Sequence, residues 1–153
     1  MAILLLTALG NLAGHVTIDG QAEQKDQELL RGTWVVTKME SEGKDHPITA
    51  PMKWIWQGRK ITNVREEKKT TEGMFQLDPS KKPRLSDIQI TFAADDEKIK
   101  GEKYKFKGQV IKGIYSLEGD YLELALGSSG GERLEKFSSE GKGKRILYLK
   151  RSK

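Results

Sequence analysis

The residues that could carry out covalent chemistry are few in this chain. There is no cysteine, and the only histidines are His15 and His46. A nucleophilic serine needs a base beside it and thiol catalysis needs a cysteine, so neither mechanism is predicted. Carboxylates are numerous, but no spacing singles out a pair for general acid–base catalysis. The sequence therefore predicts a protein that is not an enzyme.

Metal and cofactor sites find little support in the sequence. Zinc sites built from cysteine and histidine need more of these residues than the chain contains. The acidic run at residues 95–97 lacks the spacing and the glycine of a calcium-binding loop, so we interpret it as a solvated turn. Residues 128–131 are not followed by the Gly-Lys-Ser/Thr of a phosphate-binding loop. We predict no metal and no cofactor.

Aromatic residues at strand spacing are the better candidates for a binding site. Trp54 and Trp56 are two positions apart, so both indoles lie on the same face of a strand. Such a pair is more often part of a core, but small barrels also enclose ligand cavities with apolar and aromatic walls. The residues predicted to line a site for a small apolar or amphipathic ligand are Trp54, Trp56, Phe75 and Tyr115.

The charge pattern does not favour a nucleic-acid partner. The formal net charge is +5, but acidic residues are dispersed among the basic ones, which weakens any patch of a single sign. Lysines at 103, 105 and 107 alternate with Tyr104 and Phe106. On one strand these two sets face opposite sides, which suits a core-facing aromatic pair better than a groove for nucleic acid. No nucleic-acid partner is expected.

The N-terminal residues differ in composition from the rest. Residues 2–14 form an apolar run about as long as the core of a secretory signal peptide, and small residues follow near Ala22. No lysine or arginine precedes the run, so a retained, buried or self-associating helix is the alternative. We predict a signal peptide at residues 1–22 and one domain at residues 23–153. The domain would be exported to the periplasm or cell surface, or stay cytoplasmic without that signal.

From Gly32 onward the sequence pattern predicts an all-β domain. The polar stretch 24–28 suits one or two helical turns, and short segments of alternating apolar and polar residues follow, separated by turn signals. The later predicted strands are residues 103–107, 109–118, 120–126, 133–138 and 144–151. About eight antiparallel strands in succession predict an up-and-down barrel, with a sandwich as the alternative. We favour the barrel because closure removes exposed sheet edges. No apolar stretch reaches about 18 residues, so no membrane span is expected.

A glycine precedes an aromatic residue by two positions at three places. The segments are residues 32–34, 73–75 and 113–115. We interpret each glycine as the site of a strand bend and each aromatic side chain as turned inward. Trp34 is then the residue expected to close one end of the barrel.

Seven segments between Asp26 and Arg151 carry a family resemblance, namely residues 30–36, 71–83, 87–88, 91–92, 113–122, 130–133 and 137–138. Through them, much of the chain resembles a small uncharacterised domain family abundant in planctomycete bacteria. The chain departs from that pattern at Ala125, where a cysteine is common, and at Leu134, where a proline often stands. The first departure removes a thiol-dependent role, and the second affects only the local loop shape. The family resemblance implies no known activity.

The pattern Gly32-x-Trp34 is also similar to the first-strand motif of lipocalins. In that family an arginine from the last strand lies over the tryptophan, and Arg145 is the first candidate here, with Arg151 second. A guanidinium over an indole contributes about 0.5–2 kcal/mol. The resemblance implies a lipocalin-like barrel closed by Gly32, Trp34 and Arg145.

Three functions are left open by the sequence. The first is a binding module that holds a small apolar or amphipathic ligand in the mouth of the barrel. The second is a structural domain with a filled interior, whose outer face meets a protein partner. The third, and the least favoured, is an enzyme that uses carboxylates.

Overall fold

The computed structural model describes residues 20–101 and 105–153. A helix, α1, covers residues 20–30 of this part and precedes the strands, as the polar stretch 24–28 predicted. The strands are β1 (Gly32–Ser41), β2 (Lys44–His46), β3 (Met52–Gln57), β4 (Lys60–Arg65), β5 (Lys68–Asp78), β6 (Arg84–Ala93), β7 (Val110–Glu118), β8 (Tyr121–Leu126) and β9 (Arg145–Arg151). A 3₁₀-helix, η1 (Ala94–Lys98), follows β6.

Eight of these strands close into an antiparallel barrel. β1 and β3–β9 are hydrogen-bonded in succession, and β9 pairs again with β1. β2 is a short arm that pairs only with the end of β1. The predicted all-β antiparallel barrel of about eight strands, preceded by a short helix, is therefore confirmed. Of the predicted signal peptide, residues 1–19 lie outside the described residues, and residues 20–22 belong to α1.

Alternate residues of each strand fill the interior, as period-two burial requires. On β3, Trp54 and Trp56 are 4% and 2% exposed, whereas the residues between and beside them are more accessible. Phe75 and Tyr115 are also buried in this core. The prediction that these aromatic side chains turn inward is confirmed.

Helix α1 covers one end of the barrel, the end at which β1 begins. Trp34 is fully buried there, and its indole N–H donates a hydrogen bond of 2.7 Å to the carbonyl oxygen of Leu30, near the end of α1. Asp26 of α1 is buried as well, and its carboxylate accepts hydrogen bonds from Tyr115 and Arg84 on strands β7 and β6. Trp34 thus closes this end, as predicted, and we call it the closed end.

The arginine over Trp34 is Arg151, whose guanidinium carbon lies 4.3 Å from the centre of the indole. Arg151 also pairs with Asp120 at 3.2 Å and donates hydrogen bonds to the carbonyl oxygens of Arg31 and Leu29. Arg145 stands at the opposite end of the same strand, six positions before Arg151. The prediction of Arg145 for this position is wrong, and the second candidate takes it.

Residues 133–138 form no strand and belong to the loop between β8 and β9. Leu134 packs on the outer face of the barrel against Ile114, Ala125 and Ile146. The predicted strand is wrong because β8 already pairs with β9 and β9 with β1, which leaves no free edge for another strand.

The predicted strand at residues 103–107 is also wrong for its described part. Residues 105–107 lie in a turn, where the backbone N–H groups of Phe106 and Lys107 donate to the carboxylate of Asp96, at 2.7 and 2.9 Å. The acidic run 95–97 is part of η1. Its middle residue, Asp96, orders the neighbouring loop by accepting these two backbone hydrogen bonds.

Two of the predicted bend glycines lie where strands approach closely. The pairing register of β5 shifts between Glu72 and Gly73, which marks a bulge there. At Gly113, a Cβ atom would stand 2.7 Å from the carbonyl oxygen of Ala125 and 2.9 Å from the side chain of Leu126. Glycine is therefore required at this position because backbone and core occupy the space of a methyl group.

We expect Gly113→Ala to lower the free energy of unfolding by about 1–3 kcal/mol, because the added methyl group overpacks the β7–β8 interface. Urea denaturation followed by circular dichroism measures this change. Lys112→Ala, at an exposed position on the same strand, serves as the control. Equal urea midpoints for Gly113→Ala and the unaltered protein would show that the β7–β8 interface adjusts to the added methyl group without loss of stability.

Among the residues that the structure describes, no helix has the length and hydrophobicity that crossing a bilayer requires.

Candidate functional site

A cavity of about 590 Å³ occupies the end of the barrel away from α1, which we call the open end. Its rim includes the last residues of β1 and β4 and the first residues of β3 and β9, namely Ser41, Arg65, Met52 and Arg145. The closed end holds packed side chains instead. A volume of this size falls within the range of roughly 300–1,000 Å³ that small-molecule sites occupy.

Apolar side chains from several strands form the wall of the cavity. The inward residues at this depth are Met52, Trp54, Ile61, Ile88, Ile90, Ile111 and Leu147. Each of them continues the alternation that fills the closed end, so the wall is an extension of the core. When such a wall covers the apolar part of a ligand, the free energy of binding becomes more favourable by about 25 cal/mol for each Å² of apolar surface removed from water.

Of the four residues predicted to line a ligand site, Trp54 lines the cavity. The other three lie deeper, toward the closed end. Trp56 meets Phe75 edge to face, with ring centres 4.8 Å apart, and the hydroxyl group of Tyr115 donates to Asp26 at 2.6 Å. Burial and the hydrogen bond to Asp26 raise the pKa of Tyr115 above its ordinary value. These three residues therefore serve packing and closure at that end.

Arg145 is one of two cationic residues at the rim of the cavity, and it is less exposed than the other, Arg65. Arg145 opens β9, opposite Ser41 of β1 and Leu126 of β8. Burial lowers the pKa of its guanidinium from the ordinary value, since the charged form is removed from water. Within residues 20–101 and 105–153 no carboxylate forms an ion pair with Arg145, and no group accepts a hydrogen bond from it.

Two further polar atoms on the cavity wall lack hydrogen-bond partners among the described residues. They are the Oδ1 atom of Asn63 and the Oγ atom of Ser129, and both are buried. The Nδ2 atom of Asn63 is engaged, since it donates to Thr71 at 2.7 Å. Buried polar atoms are nearly always hydrogen-bonded, so unsatisfied atoms in a cavity mark positions that a bound molecule can satisfy.

The acidic groups at the rim of the cavity are already paired with lysines. Glu72 lies 3.1 Å from Lys69 and 3.8 Å from Lys60, and Asp95 lies 3.8 Å from Lys98. Arg65 and Arg145 are the charged groups of the cavity without an ion pair among the described residues, and Arg145 is the less exposed of the two. The cavity presents a positive charge beside an apolar wall.

The alternation of residues along β9 predicts the position of Arg145 better than the resemblance to lipocalins does. Arg145 has the same strand parity as Leu147 and Leu149, both of which are buried in the interior. Parity alone thus places a guanidinium on the inner face of the barrel. Asn63 and Ser129 gave no comparable signal, because one polar residue in a strand or loop is ordinary.

In the described part of the chain, no three histidine, cysteine or acidic residues come together to hold a metal ion. Comparisons with protein-family models, curated proteins and solved structures find no match for this chain.

Proposed function

We propose that this protein is a non-enzymatic binding module that holds a small amphipathic ligand in the open end of its barrel. The observation that carries the proposal is the cavity of about 590 Å³, walled by inward side chains such as Trp54 and Leu147. The opposite end is closed by α1 and Trp34, so a ligand would enter and leave at one end. The proposal therefore assigns different tasks to the two ends of one barrel.

The proposal includes the lipocalin likeness and export. The Gly32-x-Trp34 segment, with Arg151 over the indole and a short helix before it, supports a lipocalin-like assignment. Residues 1–22 would act as the export signal, and N-terminal sequencing of the secreted product would then begin near Glu23. An intact Met1 on cytosolic protein would contradict this part of the proposal and leave ligand binding unaffected.

The test is a titration of the delipidated protein with a fluorescent fatty-acid analogue. We expect saturable binding, with quenching of tryptophan emission because Trp54 lines the cavity. Ile111→Trp should weaken binding at least about tenfold by filling the open end, since a blocked pocket excludes its ligand. Binding to the variants is read from the emission of the probe, so the added indole does not interfere.

The chain offers a matched control on the same strand. Leu117 and Ile111 are both partly buried against the core from the inner face of β7, but Leu117 does not line the cavity. Leu117→Trp should therefore leave the affinity within about threefold of the unaltered protein. Equal losses in the two variants, or no saturable binding at all, would favour the other function, a structural domain with a protein partner.

A further inference from the structure

We infer that the ligand ends in a carboxylate, that Arg145 binds this group at the inner rim of the cavity, and that the apolar part lies against Trp54 and its neighbours. This inference rests on the proposed function and adds the chemical class of the ligand. It defines the ligand as an apolar chain or ring system with one anionic end.

The register of β9 places charge and apolar wall side by side. Arg145 and Leu147 are two positions apart on the inner face, and both line the cavity. An anionic head group at Arg145 would therefore leave the rest of the ligand along Leu147 and toward Trp54. A ligand of the opposite polarity would place its apolar part beside an unpaired charge.

Arg151 shows what a satisfied arginine looks like in this same strand. Its guanidinium pairs with Asp120, donates to two carbonyl oxygens and stacks on Trp34. Arg145 makes none of these contacts, although its side chain is only partly exposed. A guanidinium at the rim of a cavity with no ion pair is free to bind an anion, and its planar fork matches the two oxygens of a carboxylate. The contrast assigns Arg151 to structure and leaves Arg145 for the ligand.

Ser129 adds a hydroxyl group to the same wall. Its Oγ atom is buried in the loop after β8 without a hydrogen-bond partner in the described part of the protein. A hydroxyl donates to an ionised carboxylate oxygen, which accepts only. Asn63 Oδ1, across the barrel on β4, is an acceptor and so suits a donor elsewhere on the ligand.

The experiment compares lauric acid with lauryl alcohol, each displacing the neutral fluorescent probe N-phenylnaphthylamine from the full protein. The two molecules have the same chain and differ at the head group, so their affinity ratio isolates the carboxylate. Hydrogen bonds to charged groups predict that the acid binds about tenfold to a hundredfold more tightly. The ratio should persist at high salt, since buried pairs are screened far less than exposed ones.

Four variants locate the effect. Arg145→Met should bring the ratio to about one, chiefly by weakening the binding of the acid, and Arg145→Lys should keep part of the preference. Arg65→Met tests the other cation of the cavity and should keep most of the preference, because Arg65 is exposed. Lys150→Met is the matched control, because Lys150 is exposed on the same strand as Arg145 and does not line the cavity. It should leave the ratio unchanged.

Each remaining outcome overturns a defined part of the assignment. Equal affinity for acid and alcohol in the unaltered protein would overturn the carboxylate inference and leave the proposed binding function intact. Loss of the preference in Arg65→Met rather than in Arg145→Met would overturn the role of Arg145. Failure of both molecules to displace the probe, or failure of the probe to bind, would overturn the inference and the proposed function together. Because the acid–alcohol comparison uses the unaltered protein, it stands even if Arg145→Met does not fold.

Discussion

Asp26→Ala is expected to lower the free energy of unfolding by about 3–4 kcal/mol, because the change leaves two donors without their acceptor. Asp26 is 7% exposed. Its carboxylate lies 2.6 Å from the hydroxyl group of Tyr115 and 3.1 Å from the guanidinium of Arg84. Breaking a buried charged contact by removing one partner costs about 3–5 kcal/mol. Arg84 is partly exposed, so water replaces some of its lost contact and the lower part of that range applies.

Urea denaturation of single and double variants measures this network. Tyr115→Phe alone should cost about 1–2 kcal/mol, since it leaves Asp26 still paired with Arg84. The double variant Asp26→Ala/Tyr115→Phe should be more stable than the sum of the two losses predicts, because the buried hydroxyl no longer lacks a partner. Strict additivity, or an Asp26→Ala loss below about 1 kcal/mol, would show that the packing of α1 holds the closed end without this contact.

The predicted loss has a structural reason beyond the hydrogen bonds themselves. Asp26 is on α1, whereas Tyr115 and Arg84 are on β7 and β6, so the contact joins the helix to the barrel wall. Trp34 donates to Leu30 at the end of the same helix. These contacts fix α1 from opposite sides of the barrel, so weakening one should expose the closed end before the whole sheet unfolds.

The inner face of each strand was predictable from the sequence because burial in a sheet has a period of two residues. Trp34, Trp54, Trp56, Phe75 and Tyr115 were all expected inside, and all five are buried. Depth along the barrel has no such period. Trp54 lines the cavity and Trp56 lies in the filled end, although they are only two residues apart on the same face of β3. A ligand wall and a core thus have the same sequence pattern.

The errors in the strand assignment have a related cause. Residues 133–138 contain apolar side chains at short spacing, and local pattern alone favours a strand. Whether such a segment pairs depends on a free edge elsewhere in the fold, and closure of β9 on β1 removes that edge. Leu134 is buried on the outer face instead, in a second small cluster that local sequence does not predict.

The exchange of roles between Arg145 and Arg151 belongs to the same class of problem. The two residues have equal parity, and their separation along a strand is roughly 20 Å at about 3.3 Å per residue. The antiparallel pairing of β9 with β1 decides which of them meets Trp34, because it sets Arg151 opposite Trp34 and Arg145 opposite Ser41. The local pattern of β9 predicts an arginine on its inner face, but the end of the barrel follows only from the closure of β9 on β1.

Arg151→Met should lower the free energy of unfolding by about 2–4 kcal/mol. The substitution removes a guanidinium 4.3 Å from the indole of Trp34, an ion pair of 3.2 Å with Asp120, and hydrogen bonds to Arg31 and Leu29 at the end of α1. The cation–π contact contributes about 0.5–2 kcal/mol, and charged hydrogen bonds about 1.5–3 kcal/mol each when shielded from water. Partial exposure of this arginine and of Asp120 reduces the sum.

The same substitution at the other end of β9 should have the opposite sign. Arg145→Met removes a partly buried charge that has no partner among the described residues, so the free energy of unfolding should rise slightly, by no more than about 1 kcal/mol. Thermal and urea unfolding of both variants, without ligand, make the comparison on one strand face with one kind of substitution. A fall in stability for Arg145→Met would mean that the guanidinium of Arg145 stabilises the ligand-free fold, which would contradict its assignment to an anionic ligand. Stability gained at the ligand-free rim and lost at the closed end would instead show that only Arg151 supports the fold, which the assignment of Arg145 to the ligand requires.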